Sequence, residues 1–203
     1  VIRTDANKGA FVVASGATIK IGSPDGIVST GDFGNIQTYT RTFNTGANYE
    51  YNGTTAQVSG DALPSTVNNL TFNNSGIVSN GIGVTLTNNV AVTGTANVQS
   101  GLLIFNGKNI TGTTFTLTDG AKIKIDSPDG ITSSGATGHV QTSSRTFGTG
   151  ADYEYAGSST QYTGNGLPTT VRNLTISNTA GTYLSNNYTV TGTADVKSGA
   201  ILV

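Results

Sequence analysis

Residues 17–76 lie on residues 121–180 without a gap, and 34 of the 60 positions carry the same amino acid. The stretch K-I-G-S-P-D-G-I-V-S-T-G from Lys20 returns as K-I-D-S-P-D-G-I-T-S-S-G from Lys124. After a six-residue gap near 180, T-N-N-V-A-V-T-G-T-A-N-V-Q-S-G (87–101) falls on S-N-N-Y-T-V-T-G-T-A-D-V-K-S-G (185–199). A chain written twice needs a fold that a unit of about 100 residues can repeat, with each copy resting on its neighbour. Two similar units are expected, 17–120 and 121–203, in one continuous body; residues 1–16 read as the end of a preceding unit.

Within the unit the clearest signal is a ladder of apolar residues six apart: Leu86, Val92, Val98, Ile104 and Ile110, then Leu117 and Ile123 after one seven-residue step. The second copy shows it at Leu184, Val190, Val196 and Leu202, and Val13 and Ile19 stand in matching places near the start. Each anchor sits in a short piece such as V-T-L or V-A-V, where apolar and polar residues alternate as a half-buried strand requires. Between the anchors lie N-N, T-G-T, Q-S-G, F-N-G and T-D-G, which turn a chain sharply.

A helix would need apolar residues at spacings of three and four, and Gly, Asn, Thr and Val are poor helix formers. An antiparallel sandwich would want longer strands. Strands of three or four residues, turning every six or seven, fit an all-β parallel β-helix (a β-solenoid) in which each strand is one side of a coil. Three sides make a coil of roughly 18–22 residues, so the chain is expected to hold about ten coils and to form a rod about 50 Å long. Nothing in the pattern selects the hand of the helix.

The repeated S-P-D-G is a turn: Pro24 and Pro128 preset φ, Gly26 and Gly130 accept positive φ, and Asp25 and Asp129 favour the turn between them. Tyr49 and Tyr51, with Tyr153 and Tyr155, lie on one face of A-N-Y-E-Y and A-D-Y-E-Y. Packing along the rod is the expected role, and a sugar-binding platform at the surface is the alternative. Asn69 and Asn173 suit an internal amide ladder. Arg41 and Arg145, both in R-T-F, are expected to bind a carboxylate or backbone carbonyls.

Composition narrows the chemistry. The net charge of −1 leaves no basic footprint for nucleic acid and no cationic face for a membrane surface. No apolar run approaches the ~18 residues of a membrane span, so no membrane insertion is expected. Without cysteine there is no disulfide framework, thiolate metal site or cysteine nucleophile. His139 is the only histidine, and Asn35 holds its place in the first copy. A general base needs an orienting partner, and the sequence shows none. Glu50 and Glu154 are equivalent positions about five coils apart, too far for a glycosidase pair. Calcium-loop patterns are absent. Neither an enzyme, a cofactor nor a metal is expected.

Threonine recurs at alternate positions in T-G-T-T-F-T-L-T-D-G (111–120), T-L-T (85–87) and T-V-T-G-T (189–193). Such rows on a flat face order water and bind ice, but threonine is also the ordinary residue of a solvated strand. An ice face would need T-x-T at the same place in every coil, and along the chain the pattern falls irregularly.

The segments 49–76 and 153–178, with V-T-L-T-N-N-V-A-V-T-G-T-A-N-V-Q-S-G-L-L (84–103) and S-P-D-G-I, resemble tandem repeats of very large secreted or cell-surface proteins of Bacteroidota-type bacteria. Those proteins are adhesin-like and often end in a type IX secretion sorting domain. The resemblance covers nearly the whole chain and carries no catalytic residues with it. It implies an extracellular structural element, the stalk or fibre of an adhesin or a filament, which stacks end to end on itself or on neighbouring repeats. A carbohydrate-binding module that takes surface glycans is the alternative, and an ice-binding solenoid a further one.

Overall fold

The computed structural model describes residues 2–3, 9–30, 32–76 and 81–203. Residues 1 and 4–8, within the stretch assigned above to a preceding unit, lie outside the described residues. The fold is all-β: every strand pairing among the described residues is parallel, and none of those residues is helical. Two large parallel sheets carry most of it. The first contains Thr18–Ile21, Asn48–Tyr51, Asn69–Asn73, Val90–Ser100, Ile110–Leu117 and Val140–Phe147, in that order, with Thr66–Val67 paired beside Val90–Ser100. The second contains Gln57–Val58, Val84–Thr85, Leu102–Ile104, Lys122–Ile125, Asp152–Tyr155, Asn173–Ile176 and Ala194–Val196.

Sequence order equals spatial order in each sheet, so every strand lies on the one that follows it around the chain. The interval between stacked residues is not constant. Lys20 meets Glu50 across 30 residues, Asn48 meets Asn69 across 21, Asn69 meets Thr95 across 26, and Thr93 meets Thr113 across 20. A uniform repeat of roughly 18–22 residues therefore does not hold. The longest intervals enclose the S-P-D-G segments, which fold as excursions of their own. Gly26 N donates to Ser23 O at 3.2 Å and Gly130 N to Ser127 O at 3.1 Å, closing the turn in both copies. Val58 N then bonds Pro24 O, and Ile27 N bonds Ser59 O; Tyr162, Pro128, Ile131 and Thr163 repeat the arrangement.

These turns need glycine. Gly26 and Gly130 have φ of 65° and 62°, and a Cβ on either would stand 2.2 Å from the carbonyl oxygen of Val58 or Tyr162. T-G-T behaves differently from the expectation of a loop. At 93–95 it is a bend inside the continuous strand Val90–Ser100, where the register to Ile110–Leu117 shifts between Val92 and Thr95. Small residues there let the backbone turn a corner while its ladder of hydrogen bonds continues.

The interior is filled by side chains stacked along the pairing direction. Ile21, Tyr51, Phe72, Val98, Leu117 and Phe147 form one column, and Leu103, Ile123, Tyr153 and Leu174 another. Each large apolar side chain so buried contributes about 1.5–3 kcal/mol relative to exposure. Of the six-residue ladder, Leu86, Val92, Val98, Ile110, Leu117 and Ile123 are buried. Ile104 is not a core residue: Leu103 and Phe105 point inward and Ile104, between them, faces out over the strand. The second copy of the ladder departs further. Val190 is half-buried, and Leu184, Val196 and Leu202 are 41%, 48% and 42% exposed. Val190, Val196 and Leu202 lie at the last rung of the stack, with none of the described residues above to cover them. Leu184 is instead followed by a further rung, Leu184 N donating to Val203 O.

Candidate functional surfaces

The four repeated tyrosines are interior residues, not surface aromatics. Tyr49, Tyr51, Tyr153 and Tyr155 are all buried, and each hydroxyl donates to a backbone carbonyl. Tyr51 bonds Ser59 O at 2.5 Å and Tyr155 bonds Thr163 O at 2.7 Å, tying the strand to the segment after the next turn. Tyr49 and Tyr153 bond Asn44 O and Gly148 O. Burial pushes the Tyr49 phenol up to about 12 and raises Tyr51, Tyr153 and Tyr155 as well. A sugar platform built on these rings is ruled out by their position. The aromatics that do reach the surface are others: Tyr39, Phe33, and the pair Tyr162 and Tyr183, whose centroids are 5.5 Å apart.

Two open grooves run along the outer faces of the large sheets, and they are copies of one another. Thr18, Asn48, Glu50, Asn69, Thr71, Thr95 and Asn97 line the first. Lys122, Asp152, Glu154, Asn173, Thr175, Thr193 and Asp195, the equivalent positions, line the second. Asn69 and Asn173 thus belong to half-buried ladders at the outer surface: Asn69 Nδ2 donates to Asn48 Oδ1 at 2.8 Å, and Asn69 Oδ1 accepts from Thr95 N at 2.8 Å. Asn173 repeats this with Asp152 and Thr193.

The two grooves differ in charge. Where the first copy pairs Asn68 with Asn48 by a 3.0 Å amide bond, the second sets Arg172 against Asp152 through two bonds of 2.7 and 2.9 Å. The single ion pair Lys20–Glu50 becomes a cluster in which Lys122 and Lys124 stand 2.6 and 3.2 Å from Glu154. Burial raises the Glu154 carboxyl, and the two lysines outweigh burial and hold it below the usual carboxylate range. Glu50 and Glu154 are each committed to lysines of their own copy.

The buried amides were not singled out by sequence reasoning. Gln57 is buried, with Nε2 on Ile21 O and Ser23 O and Oε1 receiving Gly53 N and Asn74 Nδ2. Gln161 and Asn178 rebuild the same clamp on Ile125, Ser127 and Gly157. Its trace in the sequence is the pair of polar residues, Gln57 with Asn74 and Gln161 with Asn178, kept in both copies at positions the alternation leaves for the core. Arg41 and Arg145 bind backbone carbonyls: Arg41 those of Val28 and Ser29, Arg145 those of Ser133 and Thr142.

His139 is 5% exposed and stacks on Phe105 at 4.8 Å and 8°. Its Nε2 stands 2.5 Å from Asp126 Oδ1 and 3.3 Å from Asp126 N, and its Nδ1 stands 3.2 Å from Asn109 Oδ1. In the first copy Gly22 and Asn35 hold these places, and Asn35 Oδ1 accepts the N–H of Gly22 and of Ser23. The histidine and its carboxylate are thus both particular to the second copy. Burial pushes Asp126 up, but His139 and the Gly107 backbone outweigh it and hold the carboxyl low. Both ring nitrogens are engaged by protein, and the enclosed void beside the ring holds ≈ 10 Å³, about one water. On its outer side the pair borders an open pocket of about 390 Å³, lined also by Asn109, Pro128, Asp129, Thr137 and Gln141.

Among the described residues no group of three or more His, Asp or Glu could hold a metal ion, and no helix is long and apolar enough to cross a membrane. Asp25 and Asp129 stand in their turns. Comparison with protein-family models, with curated proteins and with solved structures finds no match to this chain.

Proposed function

We propose that the chain is an extracellular structural repeat: one continuous parallel β-solenoid that forms the stalk or fibre of a bacterial surface adhesin or filament. The observation that carries this reading is the unbroken parallel stacking in sequence order, in which each strand is at once partner to the one before and template for the one after. Such a body lengthens without a larger core, because its stability is a sum of neighbour terms. Intervals of 20 to 30 residues between stacked side chains suit about eight turns and a rod of about 40 Å, shorter than a uniform coil would give. The stack ends on exposed Val196, Ile201, Leu202 and Val203 with free strand edges, a surface suited to a further turn from the same array or a second copy. The resemblance of the sequence to secreted adhesin-like repeats supports a place outside the cell.

Electron microscopy of the purified chain at micromolar concentration tests the reading. Uniform rods, or fibres of constant width built from them, are expected. Rounded particles with no long axis would sink it. Surface labelling of cells that express the parent protein, blocked by antibody to this segment, tests the location separately.

A further inference from the structure

The irregular threonines of the sequence become regular on one face of the fold. Outward-pointing side chains of the first large sheet stand in two columns across successive strands. One runs through Asn69, Thr95, Thr114 and Ser144, the other through Thr71, Asn97, Thr116 and Thr146. Unequal numbers of residues separate these strands along the chain, which hides the T-x-T pattern from any reading at constant spacing. Pairing removes the inequality, because the strands meet in register whatever the length of chain between them.

Three properties set this face apart. The eight side chains are all neutral and short, and the one ion pair of this sheet face among the described residues, Lys20–Glu50, lies beyond Thr71 at the end of its column. Arg145, the one cation in the adjoining strand segment, turns its guanidinium onto the carbonyls of Ser133 and Thr142. The hydroxyls of Thr71, Thr95, Thr114, Thr116, Ser144 and Thr146 have no side-chain hydrogen bond to the protein among the described residues. Those flanking the face do: Thr93 bonds Val67 O, Thr113 bonds Thr93 O, and Thr118 bonds Asn97. Finally, the spacing is set by the sheet: about 4.8 Å between strands and about 6.7 Å between alternate residues of one strand. That rectangular net lies close to the oxygen repeat of the prism face of ice.

We propose that this face binds ice, holding a layer of ordered water on the free hydroxyls and on the methyl groups between them. Threonine held at strand χ1 presents both groups in one orientation, so the layer forms without reordering side chains. The equivalent face of the second sheet cannot do this. Lys122, Lys124, Asp152, Glu154, Asp195 and Lys197 occupy it, and charged groups keep a hydration shell that does not match a crystal lattice. The inference is independent of the stalk reading: a chain that forms no rods could still bind ice, and the reverse.

The test uses the whole chain in ice-recrystallisation and thermal-hysteresis measurements, beside the variants Thr116→Lys and Thr175→Lys. Thr116 stands mid-face, and Thr175 holds an outward position on the charged sheet. Expected is inhibition of crystal growth by the parent chain, loss in Thr116→Lys, and retention in Thr175→Lys, with unchanged circular dichroism in all three. If Thr116→Lys does not fold, Thr114→Ala takes its place and a partial loss is expected. Growth inhibition no greater than that of an ordinary globular protein at equal mass overturns the proposal. So does equal loss in the variants on both faces, or adsorption to crystalline polysaccharide without any effect on ice.

Discussion

Ile19 and Ile123 hold the same position in the two copies of the unit and lie in different sheets. Ile19 stacks on Tyr49 in the first sheet, whereas Ile123 stacks on Leu103 and Tyr153 in the second. The strands Asn48–Tyr51 and Asp152–Tyr155 are displaced in the same way, as are Asn69–Asn73 and Asn173–Ile176. The unit therefore does not hold a whole number of turns. Successive copies present the same surface in different directions around the stack, and their outer faces differ: the first carries the single ion pair Lys20–Glu50, the second a cluster of charges.

Close approach at the S-P-D-G turn predicts an unequal response of two glycines with similar φ. Gly130→Ala places a Cβ 2.2 Å from Tyr162 O at φ +62°, so backbone must move; a loss of about 3 kcal/mol is expected. Gly120→Ala, at φ +89° with open space around it, costs about 1 kcal/mol, the left-handed penalty alone. Urea denaturation of both variants decides the matter, and equal midpoints would show that the close contact is relieved at no cost.

The buried amide clamp predicts a large effect from one neutral side chain. Gln161→Ala strips partners from Gly157 N, Ile125 O, Ser127 O and Asn178 Nδ2, and should lower stability by about 3 kcal/mol or more. Gln141→Ala, whose amide has a single half-buried bond to Gly138 O, should cost less than about 1 kcal/mol. Thermal unfolding followed by circular dichroism separates the two.

The first copy shows how the Arg172–Asp152 pair can be replaced. Arg172→Asn alone leaves Asp152 facing Asn173 without its guanidinium partner and lowers the melting temperature. Adding Asp152→Asn restores the arrangement of Asn68 and Asn48 and should recover much of the loss. A double-mutant cycle with no coupling between the two positions would show that the ion pair and the amide pair are not equivalent solutions.

Acid and alkaline stability depend on different groups. Asp126 and Glu154 have lowered carboxyl pKa values in the fold, so what they contribute is complete above about pH 4 and is lost as pH falls through their folded values. Glu154→Gln should flatten the fall in urea midpoint below about pH 4, and an unchanged acid slope would discount the lysine cluster. The buried tyrosines act in the opposite sense: their raised pKa values mean stability complete below about pH 10 and lost as pH rises above it. Tyr155→Phe should move that alkaline limit upward while removing the bond to Thr163.

Much of the local structure was legible in the residues. Alternation marked Asn48–Tyr51 and Lys122–Ile125 as strands with one buried side, and Pro-Asp-Gly marked the turns whose glycines do have positive φ. Those properties rest on steric limits within a few residues, and both copies repeat them. The six-residue ladder marked Val92, Val98 and Ile123 correctly as interior but missed by one at Ile104, since a single spacing cannot follow a strand that bends or an interval that stretches. What only the tertiary structure decided is whatever depends on the residues summed around a full turn. The excursions at 22–35 and 126–139 lengthen some turns and not others. That sum sets which sheet each copy enters, and brings Thr95, Thr114 and Ser144 into one column. It also leaves Val196 and Leu202 uncovered at the last rung.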